Sequence, residues 1–457
     1  MRRIMRPIPL PLGALVGLVL WGLMPLAGQA AEAPRSLNLK EALSLAWKAN
    51  PSLQVSRLEE LIADQDVVRA RSGFLPKVKN ETNQTIYDLG TRIKVQGNFP
   101  SSVAPSFPLT NNNFWTSRFT ADQTLFDFWA TPSRYQAAIL GQNATRLDTA
   151  QTRDNIFLLV CQGYFRVLRG EKLVEVAQQE VVQFGDQLKD ARNLYEFGVA
   201  TYNDVLQAEV AQADSQQRLI TAKNDVTNDK SALNKLIGLP IPTPISLVEE
   251  KELAAPSRNL AEASDLAVKQ RSDVKAAGSR IEQGEQNVTQ AQAQHFPRLY
   301  AQAGHLYQQN FLYIQDSQWF AIFGLQWTLF NGLDTRAQVR QAKDKVEQLK
   351  VKHQDLGEQV RLDVQTAYLA VNETAERIRV TEKAVAQGEE NLRLNKERYR
   401  EQVGTATNVI DAVTLLTKTR VNFFNARYDH QLAKAQLLWA VGAINDLLPQ
   451  GETRHVP

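Results

Sequence analysis

The sequence predicts an α+β membrane protein built from two structural repeats. Each repeat is a helix, a β-hairpin and a long antiparallel helical pair. Three observations predict it. Short motifs recur in order some two hundred residues apart, aromatic and small residues alternate with polar ones after each first helix, and proline vanishes between Pro132 and Pro240 and between Pro297 and Pro449.

The chain of 457 residues opens with Arg2, Arg3 and Arg6, an apolar stretch from Leu12 to Met24, and then Gly28 and Ala30. That is the pattern of a secretory signal peptide cut after Ala30. The apolar run is short for an anchor, and Pro25 interrupts it. Without residues 1–30, Lys+Arg falls from 52 to 49 against 49 Asp+Glu, so the formal charge drops from +3 to 0. A balanced chain offers no electrostatic reason to bind nucleic acid. Cys161 is the only cysteine, which excludes an intrachain disulfide or a cysteine zinc cluster, and it is expected to be a small buried apolar residue. No later apolar run reaches the length of a transmembrane helix, so any span must use strands.

The repeat is direct. Leu39-Lys40-Glu41-Ala42 and Leu45-Ala46 return 221 positions later as Leu260-Ala261-Glu262-Ala263 and Leu266-Ala267. Phe74-Leu75-Pro76-Lys77-Val78 returns at that offset as His295-Phe296-Pro297-Arg298-Leu299. Further along the offset is 204: Thr124-Leu125-Phe126-Asp127 matches Thr328-Leu329-Phe330-Asn331, and Tyr164, Tyr195 and Gly238 match Tyr368, Tyr399 and Gly442. The difference of 17 places extra residues in the first copy, between Pro76 and Phe126.

Each copy should open with one helix of roughly 35 residues ended by Pro76 or Pro297, because proline breaks the ladder and restricts its neighbour. Strands follow. Leu299, Ala301, Ala303, His305 and Tyr307 share one face; Trp319, Ala321, Phe323, Leu325, Trp327 and Leu329 share the next. In the first copy Trp115, Phe119, Ala121 and Leu125 share a face, and Asn98–Asn113, with Pro100, Pro105 and Pro108, reads as a loop. This alternation suits a soluble sandwich or a lipid-facing barrel. Four strands per chain are too few to close a barrel, so a barrel requires several chains.

The long pairs carry a seven-residue apolar period. In the first, Ile156, Val160, Gly163, Val167, Gly170, Val174, Ala177, Val181, Phe184 and Leu188 form it; in the second, Val360, Val364, Ala367, Val371, Thr374, Ile378, Thr381, Val385, Gly388 and Leu392. That is coiled-coil packing. A helix from Pro132 to Phe197 would be roughly 100 Å long, suited to a rod or tube. The expected layout is therefore a signal peptide at 1–30, a first repeat at 31–245 (hairpin about 77–126, helical pair about 132–238), and a second at 246–457 (hairpin about 298–330, helical pair about 335–447, short tail).

Each pair must reverse at its far end. Gly198 sits where a helix C-cap belongs, and Thr201 with Asp204 suits an N-terminal capping box as well as a lining role. The second turn reads Gln402-Val403-Gly404-Thr405, with Asn408 in the place of Asp204 and Asp411 one turn further on.

Taken together, the Leu-x-Glu-Ala-x-x-x-Ala opening (39–46), Phe-Leu-Pro (74–76) with its echo His-Phe-Pro (295–297), Leu-Phe-Asn-Gly (329–332) and Arg398-Tyr399-Arg400-Glu401-Gln402-Val403-Gly404-Thr405 running on to Val409-Ile410-Asp411-Ala412 resemble the TolC family of outer-membrane efflux proteins. The resemblance spans about Leu37 to Leu447. It implies a homotrimer, four transmembrane strands per chain in one twelve-stranded barrel facing outer-membrane lipid, and a periplasmic tunnel of twelve helices with an equatorial belt. It also implies a passive duct that docks an inner-membrane pump through a periplasmic adaptor. On this chain the adaptor-docking tip falls on Gly198, Val199, Ala200, Thr201, Val403, Gly404 and Thr405. The family narrows its entrance with an Asp-x-x-Asp pattern, which falls here on Asn408 and Asp411; only Asp411 keeps the charge, and Asp204 in the other copy could add to it. A ring of three carboxylates favours cations less than a double ring.

Two other classes compete. A periplasmic coiled-coil adaptor or scaffold also has long helical hairpins, but the duplication and the two aromatic hairpins argue against it. An enzyme has little support: the five histidines are scattered, and no His-x-x-x-His, Gly-rich phosphate loop or Gly-x-Ser-x-Gly occurs. No metal or other cofactor is expected.

Overall fold

The computed structural model describes residues 35–90, 92–94, 106–108, 111–249, 252–254, 259–309 and 315–448. The expected signal peptide, most of the loop 98–113 and the C-terminal tail lie outside these residues. In chain order the elements are β1 (Arg35–Leu37), α1 (Leu39–Ala49), α2 (Pro51–Arg71), β2 (Lys77–Ile86), β3 (Arg92–Lys94), β4 (Ser106–Pro108), β5 (Asn113–Phe126), α3 (Ala130–Glu196) and α4 (Tyr202–Leu236). There follow β6 (Ile245–Leu247), α5 (Leu260–Gln270), α6 (Ser272–Ala293), β7 (Arg298–Gln308), β8 (Ser317–Gln326), α7 (Asp334–Arg400) and α8 (Ala406–Ala440).

The first helix of each repeat is broken in two, where one continuous helix is the sequence expectation. In the first copy the break falls at Asn50-Pro51. Pro51 takes the first helical position, where it forfeits no intrahelical bond, and the Asn50 side chain accepts from the amides of Ser52 (2.9 Å) and Leu53 (3.4 Å). In the second copy the break has no proline. Arg271 leaves the helix at φ −57°, ψ 135°, and its buried guanidinium binds Asp273 (2.6 Å) and Asp363 (3.0 Å) over the ring of Trp439. Different chemistry produces the same bend.

The long helices repeat closely. α3 and α7 have 67 residues each, and α4 and α8 have 35 each. None of the seven-residue-period positions is exposed. Small residues set the spacing: a Cβ added at Gly170 would lie 2.9 Å from Val226 Cγ2. Along its N-terminal half α3 packs between α2 and α6, with α7 beyond α6; along its C-terminal half it packs between α4 and α8, with α7 beyond α8. Near the middle of α3, Phe157, Val160, Tyr164 and Val167 join α1, the end of α4, the end of α8 and the parallel pair β1–β6 in the largest core. The Tyr164 hydroxyl donates to the Val248 carbonyl (2.6 Å). Cys161 is buried there.

One four-stranded antiparallel sheet carries both hairpins in the order β2-β5-β7-β8. β5 has a bulge at Leu125, between the paired Thr124 and Phe126. β8 ends at Gln326, so Trp327 and Leu329 lie beyond the strand and not on its face. Two further short pairs, β1–β6 and β3–β4, are outside the four-strand pattern, and β4 falls within the segment read as loop. Among the described residues no helix is long and apolar enough to cross a membrane.

Candidate functional site

The register sorts the sheet's side chains by charge. Lys77, Lys79 and Glu81 of β2 stand opposite Asp122, Thr120 and Arg118 of β5. Arg298 joins them, because Arg298, Tyr300 and Gln302 of β7 share a face with Asp122. All these charged residues therefore lie on one face. The other face bears Val78, Trp115, Phe119, Ala121, Leu299, Ala301, Ala303, Trp319, Ala321, Phe323 and Leu325, with Trp319 79% and Phe323 80% exposed in the single chain. A sheet with charges on one side and exposed aromatics on the other fits water on one side and hydrocarbon on the other. On the polar face, the rings of Tyr300 and Phe320 lie over Gly324 and Gly304, their partners across the β7–β8 pair.

Where the sheet gives way to helix, each copy makes the same turn. Phe128 and Trp129 in one, and Gly332 and Leu333 in the other, hold two successive residues at positive φ. Asp127 accepts from the Thr131 amide (2.9 Å) and hydroxyl; in the second copy Asn331 Oδ1 accepts from the Thr335 amide (3.5 Å), but Asn331 Nδ2 donates to the Thr335 hydroxyl (2.7 Å). Phe126, Phe128, Trp129 and Phe296 cluster here, with Phe128 stacked on Phe296 at 4.7 Å. Exposed Trp327, Leu329, Phe330 and Leu333 extend the group into the second copy. Aromatic residues gathered at one level mark a membrane–water boundary.

The lateral edges of the chain are open. β2 and β8 have no outer strand partner among the described residues. α2 exposes Val55, Leu58, Ile62 and Val68, and α7 exposes Val351, Leu362, Leu369 and Val380. Strand edge and apolar helix stripe thus lie on the same two sides of the molecule, β2 with α2 and β8 with α7.

At the far end the backbone hydrogen bonds of the two turns match. The Val199 and Ala200 amides donate to Leu194 O (2.8 and 3.1 Å), as the Val403 and Gly404 amides donate to Arg398 O (2.9 and 3.0 Å). Asp204 N donates to Thr201 Oγ1 (3.3 Å), while Asp204 Oδ2 accepts from the Thr201 amide and hydroxyl (2.9 Å each), a complete capping box. Thr405 caps the Asn408 amide (3.3 Å), but Asn408 returns no bond. The structure therefore engages Asp204 in capping and leaves Asp411 exposed, with no hydrogen-bond or ion-pair partner among the described residues. Val199 and Val403 are exposed at the two tips, Val403 to 78%.

Contacts between the turns are invisible in the sequence. Arg400 binds Asp190 (3.2 Å), and Thr407 donates to Gln207 (3.2 Å). Tyr399 is buried with its hydroxyl unpartnered; burial, with Asp204 and Asp190 nearby, pushes that hydroxyl's pKa up. Its repeat partner Tyr195 is exposed, its ring 5.6 Å from that of Tyr202. The Tyr195–Tyr399 match was the only sequence signal at this position, and it does not distinguish the two environments.

A two-faced sheet continuous with helical rods of 67 residues defines a membrane-embedded conduit with a long helical extension. The family model described as outer membrane efflux protein matches residues 42–239 and again 263–443, one match per repeat, and together most of the chain. The chain belongs to the outer membrane efflux protein family, and it is an export protein of the outer membrane. It is 24% identical over 429 residues to the outer membrane protein TolC of Vibrio cholerae, covering 92% of this chain and 94% of that one. It is also 24% identical to the outer membrane efflux protein BepC of Brucella suis, covering 91% and 87%. Among solved structures it is similar to the outer membrane protein VceC of Vibrio cholerae, with a TM-score of 0.74 at 21% identity, covering 88% of this chain and 96% of that one.

Proposed function

We propose that three copies of this chain close into one passive duct, with β8 of each pairing with β2 of the next. The observation that carries this reading is the coincidence of open edges. The outer edges of β2 and β8 have no strand partner among the described residues, at the sides where α2 and α7 leave apolar residues uncovered. One lateral contact would satisfy both, and a closed sheet leaves no edge. Three four-stranded sheets make a twelve-stranded barrel, and the helices beneath continue it as a tube into the periplasm. The charged face lines water and the aromatic face meets lipid.

In this duct the tips formed by Gly198–Thr201 and Val403–Thr405 receive a periplasmic adaptor, which joins the duct to an inner-membrane pump. Asp411 supplies one ring of carboxylates at the entrance. Asn408 adds no charge, and the Asp204 carboxylate is engaged in its capping box. A soluble scaffold would leave Trp319 and Phe323 without cover.

The test is fractionation followed by electrophoresis of unheated and heated samples. SDS-resistant, heat-modifiable trimers from the outer membrane are expected. A soluble periplasmic monomer would overturn the reading.

A further inference from the structure

Just inside the junction of sheet and helices, the polar face forms a concavity of about 910 Å³. Its lining includes four cations, Lys77, Lys79, Arg134 and Arg298, and two carboxylates, Asp122 and Asp127. The carboxylates are held by neutral donors: Gln302 Nε2 donates to Asp122 (2.5 Å), and the Thr131 amide to Asp127 (2.9 Å). Lys79 and Arg134 have no hydrogen-bond or ion-pair partner among the described residues, and Arg298 donates only to the neutral Gln326 (3.0 Å). Higher on the same face, Glu81 stands opposite Arg118, which leaves no local excess. The positive charge is therefore concentrated at one level. Asn331 strengthens it, since it occupies the place in the second repeat that Asp127 holds in the first.

We propose that this cationic collar binds multivalent anions in transit, and that the cargo class includes small organic molecules bearing two or more carboxylate, phosphate or sulfate groups. The proposal rests on the duct reading above, which places the polar face toward the lumen. In the trimer three such concavities ring the passage, twelve cations against six carboxylates. Convergent Lys and Arg side chains suit oxyanions, Arg by its forked donors and Lys as a point charge. The size falls in the range of small-molecule sites. α3 and α7 are roughly 100 Å long, about ten screening lengths at moderate salt, so the collar and the Asp411 ring act independently.

The test uses purified full-length protein in planar bilayers of phosphatidylcholine, with inorganic pyrophosphate added on the barrel side. Concentration-dependent current block is expected, relieved at 1 M KCl as the screening length contracts. The half-blocking concentration should rise roughly tenfold in Lys79→Gln/Arg134→Gln and by a smaller factor in Lys79→Gln alone. No block, or equal block in both variants and the parent, overturns the collar while leaving the duct standing. Block seen only when phosphatidylglycerol is included assigns the cations to lipid headgroups and overturns it as well. A protein that forms no channels overturns the duct reading and the collar with it.

Discussion

Gly198 and Gln402 hold the same left-handed backbone at corresponding places in the two tip turns, with φ of +73° and +64°. Glycine adopts that conformation freely, whereas a residue with a Cβ is strained by about 1–2 kcal/mol. Gln402→Gly should therefore stabilise the second hairpin by about 1 kcal/mol, and Gly198→Ala should destabilise the first by a similar amount. Hydrogen exchange of the tip amides reads both changes. A Gln402→Gly protein with faster exchange at Val403 and Gly404 would refute the strain argument.

Arg271 should be among the residues most sensitive to truncation. It is 5% exposed, binds two carboxylates and lies over Trp439. Arg271→Met leaves Asp273 and Asp363 together without their cation and should cost about 3 kcal/mol. Adding Asp363→Asn should recover part of that loss. Thermal melts of the helical signal in detergent measure it, and an additive double variant would remove the coupling.

His430 makes stability depend on pH. Its Nδ1 lies 2.9 Å from Thr374 Oγ1, on one of the seven-residue-period positions. Burial first, and Lys434 second, lower its pKa below the ordinary 6.5, while Glu252 opposes them. The unfolded chain then takes up the proton before the folded one, so stability is complete above about pH 6.5 and falls as pH drops toward the native pKa. Between pH 7.5 and 5 the parent should lose more melting temperature than His430→Gln. Equal losses would place the pH dependence elsewhere.

If three chains close into the proposed duct, Asp411→Asn should lower the cation-to-anion permeability ratio severalfold, because a ring of three carboxylates acts together at the entrance. The reversal potential under a KCl gradient reports the ratio. An unchanged potential together with unchanged conductance rejects the entrance role.

Val199→Arg and Val403→Arg, each alone, should abolish export while trimers persist on unheated gels. Both side chains are exposed and make no core contact, so the fold tolerates the change. Full export from both variants would move the docking surface away from the turns.

Much of this fold was legible because the chain states it twice. The seven-residue period runs through Val160, Val167 and Phe184 and again through Val364, Val371 and Gly388, at a spacing that no other periodicity imitates. The break at Arg271 was hidden because it depends on Asp363, 92 residues away, and not on a local helix breaker. The Asn50-Pro51 break carried a local signal, a capping residue followed by proline, which the helical pattern on either side obscured. Strands of three residues, such as β1 and β6, are too short for alternation to show. At the tip, the sequence offered Asp204 and Asn408 as counterparts, but only geometry separates a carboxylate that closes a cap from Asp411, which closes nothing. Lys77, Lys79 and Arg298 share one face of the sheet through its register, and Arg134 reaches the same level from the first turns of α3, a meeting that no local pattern announces.

The pairing of Arg35–Leu37 with Ile245–Leu247 ties the beginning of the first repeat to its end. About two hundred residues separate the partners, so β1 can pair only after α4 and the residues beyond it have formed, whereas α1 packs on α3 and can be placed before α4. Leu37, almost wholly covered in the finished molecule, is closed over only when Ile245 and Leu247 arrive. The first repeat is therefore fastened late, by the short segment that follows α4, in a long-range step that local helix formation does not supply.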